Sequence, residues 1–435
     1  MDRLPSLADV PRETAVVVGL VGGAEFVNHT YLVLFPPILG ILSAEFDASL
    51  ALLGVAMGVQ GFTNTAFQLP WGYLSDNYDR RLTLGLSLGL ATASVFVVAA
   101  APTFEILLVG QALLGIGIAG HHPVHFPLLA AASPERHRGR AFSIRAFLGN
   151  LGFAAPPVAL TAVIALPGLT WRHAVGLVGA FGAVYAVSML FVLYRYVDPA
   201  VTAPDVDDAE DAHESADGER TLGAIRAAAR REVRAILGSP AILALAVLAL
   251  VVSTASWGIT SYAAVLLQDG YGVGLDVANL TLSAMFAVGA VMVLVGGDLS
   301  DRFSPGPVIV ASYGAVVVFV ALVATMTLPP LAAVACLLVV GGVRSLGGPA
   351  RSKLADAVSA RSDLGRNFAL ITVGIMTGSS IAPPVFGALI ENRGLGATFW
   401  AIAAVAALGV GVTLFVLRRH GDGTDPAAAG PVEAE

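Results

Sequence analysis

The sequence predicts an all-α membrane protein with twelve transmembrane helices, in two six-helix bundles related by a pseudo-two-fold along the membrane normal. Three observations lead there. Hydrophobic residues make up 56% of the 435-residue chain and charged residues 13%, with mean hydropathy +0.79; soluble domains carry about 25% charged residues. Arg and Lys fall almost entirely in alternate connections. Several short motifs recur in order, about 226 residues apart.

A spanning helix needs roughly 20 apolar residues, because the hydrocarbon core is about 30 Å thick. Twelve segments qualify: about 14–42, 50–74, 82–101, 104–132, 141–166, 174–197, 241–268, 276–299, 306–328, 331–358, 366–390 and 396–418. They divide the chain into a tail (1–13), a six-helix bundle (14–197), a linker (198–240), a second bundle (241–418) and a closing tail (419–435). The polar start MDRLPSLADVPRE and the length of the first apolar run speak for a retained span and against a cleaved signal. The lone cysteine, Cys336, allows no internal disulfide and reads as a small core residue.

Arg80, Arg81, Arg136, Arg138, Arg140, Arg302, Arg351, Lys353, Arg361, Arg418 and Arg419 lie in even-numbered connections, in the segment ends that border them, or in the closing tail, whereas the odd-numbered connections hold only Arg172 and Arg393. The positive-inside bias therefore places both termini in the cytoplasm, which requires an even number of spans. In the linker, 198–219 is acidic and reads as disordered, and RTLGAIRAAARREVRAIL (220–237) reads as a basic amphipathic helix on the inner membrane surface. Membrane lipid is the partner this implies, and nucleic acid is not.

The repeats are GYLSD (72–76) with GDLSD (297–301), HP (122–123) with GP (348–349), GRAF (139–142) with GRNF (365–368), and AAPPV (154–158) with IAPPV (381–385). Their offsets of 225 to 227 point to one six-helix unit duplicated in parallel. Two such bundles rock about a site near the bilayer midplane. The proline pairs Pro156–Pro157 and Pro383–Pro384 remove backbone donors and bend their helices.

Ionisable groups at bilayer depth are costly and mark function. Glu25 and His29 share a face of the first helix at i, i+4, and a histidine ordinarily titrates near pH ~6.5, so this pair is the expected proton-coupling site. His121, His122 and His125 in GIGIAGHHPVHF are expected to line the substrate cavity or its cytoplasmic exit. Asn28, Gln60, Asn64, Trp257 and Tyr262 complete the expected lining, with Tyr31 a further wall candidate and Gln68 extending the polar stripe. Arg145 enters the fifth segment just inside its cytoplasmic edge. Arg344, midway along the tenth, is expected to meet an anion, either the substrate or Glu25, or to pack against backbone carbonyls. HHxxH lacks a third ligand and differs from HExxH, so neither metal nor cofactor is expected.

With these residues in view, the chain resembles the major facilitator superfamily over about residues 14 to 418. That family carries a pattern close to G-x-L-[SA]-D-[RK]-x-G-R-[RK] between its second and third helices. Here Gly72, Leu74, Ser75, Asp76, Arg80 and Arg81 match, while Asn77 and Asp79 depart. The second copy keeps Asp301–Arg302 and loses the closing basic pair. The resemblance implies a conformational latch at the cytoplasmic face, with Asp76 bonding the start of the eleventh helix and Arg80 or Arg140 completing it, and with Asp301 and Arg302 as its second copy. The stretches 25–49 and 115–123 are similar to the fosmidomycin-resistance type of efflux carriers.

The expected function is therefore a monomeric secondary carrier in the cell membrane, a proton-coupled exporter of a small organic solute. Proton- or sodium-coupled uptake of an organic anion is the alternative within transport. A non-transporting membrane sensor on a carrier fold is the alternative outside it. No P-loop or HExxH is present, which argues against a metalloprotease-type enzyme and against direct ATP drive.

Overall fold

The computed structural model describes residues 10–203, 240–358 and 364–420. The amphipathic reading of the linker, its acidic stretch beyond residue 203, most of the first tail and all but the start of the closing tail lie outside that set, whereas residues 198–203, expected to be disordered, hold a short helical turn at Pro199–Thr202 capped by Asp198. Among the described residues every regular element is helical, and eleven stretches are long and apolar enough to cross a bilayer. The first ten match the expected segments to within several residues at their ends. The eleventh, Leu370–Arg419, covers the last two as one 50-residue stretch. Within it Gly394 has φ 81° and ψ 170°, which no helix accommodates.

The chain forms two compact units, Met1–Phe46 with Val59–Glu219, and Asp47–Gly58 with Arg220–Glu435. In the first unit the helices are α1 (Arg12–Leu32), α2 (Leu39–Phe46), α3 (Leu50–Ala66, shared with the second unit), α4 (Gln68–Asn77), α5 (Arg80–Ala100), α6 (Phe104–Ala119), α7 (His121–Ala132), α8 (Glu135–Ile164), α9 (Trp171–Tyr196) and the short α10 (Pro199–Thr202).

Several spans in this unit are broken, and the breaks follow from proline and glycine. Between α1 and α2 the chain passes through a 3₁₀ turn at Pro36–Ile38. Pro70 and Pro123 sit in the first turns of α4 and α7, where a missing N–H costs least. Helix α6 stops at Ala119, leaving the carbonyls of its last turn without helical donors. Trp71 Nε1 donates to Ile116 O at 2.7 Å and Ser87 Oγ to Gly117 O at 2.7 Å. Pro127 cannot bond Pro123 O, and Ser75 Oγ donates there instead at 3.4 Å. Pro156 likewise frees Gly152 O, which accepts from Thr30 Oγ1 of α1 at 3.1 Å.

Glycines then set the helix spacing. A Cβ on Gly117 would lie 2.4 Å from Ala91 N, and one on Gly152 would lie 2.4 Å from Phe26 O. These contacts bring α6 onto α5 and α8 onto α1 at backbone distance. On the side of α1 remote from Arg12, Glu45 accepts from Arg172 Nη2 at 2.7 Å and from Trp171 Nε1, tying α2 to α9.

The second unit holds α11 (Pro240–Val265, extended by a π turn at Leu266–Gly270), α12 (Leu275–Arg302), α13 (Pro305–Ala324), α14 (Pro330–Val358) and α15 (Leu364–His420). The close packing of α8 on α1 has a counterpart in α15 on α11. Added Cβ atoms on Gly374 and Gly378 would lie 2.5 Å from Ala246 O and 2.6 Å from Leu250 O. Tyr262 is fully buried and its hydroxyl donates to Pro383 O at 2.6 Å. It therefore packs helices rather than lining open space, because its only polar atom is spent inside the bundle.

The backbone contact at Gly117 sets an expectation. Gly117→Ala forces α5 and α6 apart and lowers stability by about 1–3 kcal/mol. Gly89→Ala on α5, where nothing lies within 4 Å, leaves the melting temperature of the detergent-purified protein unchanged or slightly raised. Equal melting of the two variants would show that this contact does not set the helix spacing.

Candidate functional site

The site is one carboxylate in the middle of α1, gathered upon by two neighbouring helices. Glu25 is 2% exposed and lies 13 residues after the start of α1. Arg145 of α8 donates from Nη1 to its Oε1 at 2.5 Å. His125 of α7 donates from Nδ1 to its Oε2 at 3.0 Å. His29, one turn along α1, brings Nε2 to 3.5 Å from Oε1, and His122 brings Nε2 to 3.9 Å.

The break at Gly120 gives α7 its own register. A Cβ on Gly120 would lie 2.7 Å from Ser87 Oγ and 2.9 Å from Trp71 Cδ2, so only glycine fits between the two side chains that cap α6. From there His121, His122 and His125 turn towards α1. His121 is buried and donates from Nε2 to Ala24 O at 2.7 Å, and its ring meets His125 edge-on at 3.9 Å. His29 stacks on Phe153 at 4.1 Å. The Arg145 guanidinium lies 4.5 Å from the Phe126 ring centre. Gly149 makes room for all of this, since a Cβ there would lie 2.8 Å from both Glu25 Cγ and His29 Nδ1.

The four expected histidines and Glu25 thus come together. Arg145, known from the sequence as an ionisable residue in an apolar segment, turns out to be the carboxylate's ionic partner. Its signal was an arginine at helix depth with no acid in its own span beyond Glu135. Water reaches the cluster only at its edges: the His122, His29 and Arg145 side chains are 28%, 16% and 12% exposed, whereas His125 has no exposed surface. His125 Nε2 and His122 Nδ1 are buried and have no hydrogen-bond partner among the described residues, which leaves nitrogens able to take a proton without breaking a bond seen there.

Glu25 with His29 and His122, and Glu25 with His121 and His125, each bring three ligand atoms within 4.8 Å of one another. Both sets depend on Glu25, where the Arg145 guanidinium already holds Oε1. A divalent ion would have to displace that fixed cation, so the donor set does not suit a metal.

The other expected residues lie as follows. Asn28 is buried in α1, and Gln60 and Asn64 are buried on α3. Gln60 donates to Tyr31 O at 3.3 Å. Trp257 is partly exposed on α11. Arg344 is partly exposed on α14, donating from Nη1 to Thr260 Oγ1 at 3.0 Å and Ser256 O at 3.4 Å. Glu25 takes its ionic contacts from Arg145 and the histidines, while Arg344 has no ion pair among the described residues. Of the expected latch residues, Asp76 and Arg140 are exposed and Arg80 is buried at the start of α5. Arg302 pairs with Asp298 of its own helix at 2.9 Å, and the side chain of Asp301 lies outside the described set. Arg81, buried next to Arg80, donates to Thr202 Oγ1 at 2.7 Å and so ties α5 to α10.

Long apolar helices around a buried charged cluster define a polytopic membrane protein. The family model for the Major Facilitator Superfamily matches residues 21–349 and 246–434, and the chain belongs to that family. It is 24% identical over 291 residues to the fosmidomycin resistance protein of Escherichia coli (strain K12), covering 66% of this chain and 65% of that one. It is 28% identical over 137 residues to the MFS thioclapurine efflux transporter of Claviceps purpurea (strain 20.1), covering 32% of this chain and 25% of that one. The matched stretches thus span between a quarter and two thirds of these relatives. The fold is similar to the crystal structure of a bacterial homologue of the human lysosomal transporter Spinster, in its inward-facing and occupied conformation. That likeness has TM-score 0.74 and 16% identity, and covers 94% of this chain and 97% of that one.

The geometry sets a second expectation. Arg145→Gln leaves a buried carboxylate without its cation and lowers stability by about 3–5 kcal/mol. Adding Glu25→Gln to it restores most of that loss. Thermal melts of the two single variants and the double variant measure the coupling, and additive losses would show the two groups to be independent.

Proposed function

We propose that this protein is a secondary transporter that moves a small organic solute by alternating access between two six-helix bundles, with proton entry coupled to export. Twelve spans follow if Leu370–Arg419 is two: as one helix its 50 residues would run about 75 Å, more than twice the hydrocarbon thickness. Gly394 supplies the break. The arginine bias then places both termini in the cytoplasm, in the cell membrane.

The observation that carries the coupling is the occupancy of Glu25 Oε1 by Arg145 at 2.5 Å within a ring of histidines. A proton and a guanidinium compete for that oxygen. A proton arriving through His122 or His29, the partly exposed members, releases Arg145 from the one acid it pairs with among the described residues. A freed guanidinium in an apolar span favours whichever packing returns it to water or to an anion. That difference between states is what a coupling ion must provide to shift a conformational equilibrium. Glu25 is the principal coupling group, His29 adjusts it, and His121 and His125 hold its geometry. The two relatives, a resistance protein and an efflux transporter, support the outward direction. Asp76, Arg80, Arg140, Asp301 and Arg302 remain the proposed latch, and the protein is proposed to act as a monomer.

Reconstituted vesicles test this. Under an imposed pH gradient, a panel of labelled drugs that includes fosmidomycin is scored for transport, with a sodium gradient as the comparison. Glu25→Gln should cut gradient-driven transport of the responding solute at least about tenfold, ~1.4 kcal/mol in barrier terms, and spare solute exchange. Full gradient-driven transport by that variant would overturn the role of Glu25, and drive by sodium alone would overturn the proton.

A further inference from the structure

Arg344 sits at the fifteenth residue of the 29-residue α14, the middle of a span. Among the described residues its guanidinium has no ion-pair partner. Helix α11 contains neither Asp nor Glu, and the acids of α12 are Asp276, Asp298 and Asp301, near its ends. The guanidinium lies 5.2 Å from the ring centre of Phe286, which is ten residues from Asp276 and twelve from Asp298, about 15 and 18 Å along the helix.

The bonds Arg344 does make are directional. Both use Nη1, one to Thr260 Oγ1 and one to Ser256 O. Among the described residues Nε and Nη2 donate to nothing, and the residue as a whole is partly exposed. These two nitrogens carry the parallel N–H pair of a guanidinium, the edge that grips a carboxylate or phosphonate by two bonds. Thr260 holds one arm, Phe286 supports the flat face, and the gripping edge is left open. Asn279, Ser283 and Phe286 share one face of α12 at i, i+4 and i+7, adding polar groups beside the ring.

We propose that Arg344 is the binding residue for an oxyanion, and that the cargo is an organic anion of the carboxylate or phosphonate class. Naming the anion as cargo rests on the transport reading above; the binding itself does not. An unpaired fixed charge at mid-span is costly, and an anion that arrives and leaves offsets that cost only while bound.

The test uses the full chain purified in detergent and titrated with benzoate and phenylphosphonate against their neutral counterpart benzamide, followed by fluorescence and thermal melts. An anionic phospholipid added in a separate arm distinguishes a headgroup from a soluble anion. Wild type should bind the two soluble anions and not benzamide. Arg344→Gln should weaken them roughly ten- to hundredfold. Arg344→Lys, which keeps the charge and is the safer variant for folding, should recover only part of the affinity and lose preference for the two planar carboxylate oxygens. Anion binding in detergent needs no pH gradient, so a wild-type protein that binds the anions but shows no pH-driven transport would strike the coupling reading and leave this one intact. Equal binding of benzamide, unchanged anion affinity in Arg344→Gln and Arg344→Lys, competition by the lipid alone, or no anion binding by wild type would each overturn the proposal.

Discussion

One constraint governs the first unit: a carboxylate inside a bilayer-spanning helix must be neutralised by groups that the same unit supplies. Glu25 is 2% exposed, and its oxygens are taken by Arg145 at 2.5 Å and His125 at 3.0 Å. In a medium of low dielectric an unpaired ion of this kind costs several kcal/mol, so α1, α7 and α8 are held together by charge as well as by packing. The same constraint makes the cluster sensitive to a proton, since any change in charge at Glu25 must be balanced by Arg145 or by one of the imidazoles.

The helices that carry the cluster are broken where they approach it. Gly120 separates α6 from α7, Pro127 interrupts α7, and Pro156 interrupts α8. Backbone groups freed inside a membrane must find other partners, and they do: Trp71, Ser87, Ser75 and Thr30 donate to the released carbonyls. Polar side chains that seem scattered in the sequence thus have defined positions at breaks. The breaks in turn aim His121, His122 and His125 at one carboxylate.

Comparison of the two units separates packing from chemistry. Gly149 and Gly152 bring α8 against α1 as Gly374 and Gly378 bring α15 against α11. On α1 the side chains at that contact include Glu25 and His29, whereas on α11 the approached positions are Ala246, Leu250, Ser253 and Thr254. Close helix contact is repeated and the ionisable cluster is not. The second unit has a lone arginine instead, on α14, with a hydroxyl and an aromatic ring for company.

The sequence by itself determined the family, the helical membrane class and the existence of polar groups in apolar spans, because those follow from composition, period and motif, which are local. It placed Glu25 and His29 on one face, since i, i+4 geometry needs nothing beyond the helix. It set out Arg145 without a partner, because residues 120 positions apart have no local relation that spacing could reveal. It offered Tyr262 as a cavity wall, where burial and a bond to Pro383 O make it a packing residue. Tertiary structure alone decided which of the histidines meets which oxygen, since glycine contacts and proline breaks fix helix register in three dimensions. It also left Arg344 without an ion pair among the described residues, because that depends on which neighbouring helices bring acids to its depth.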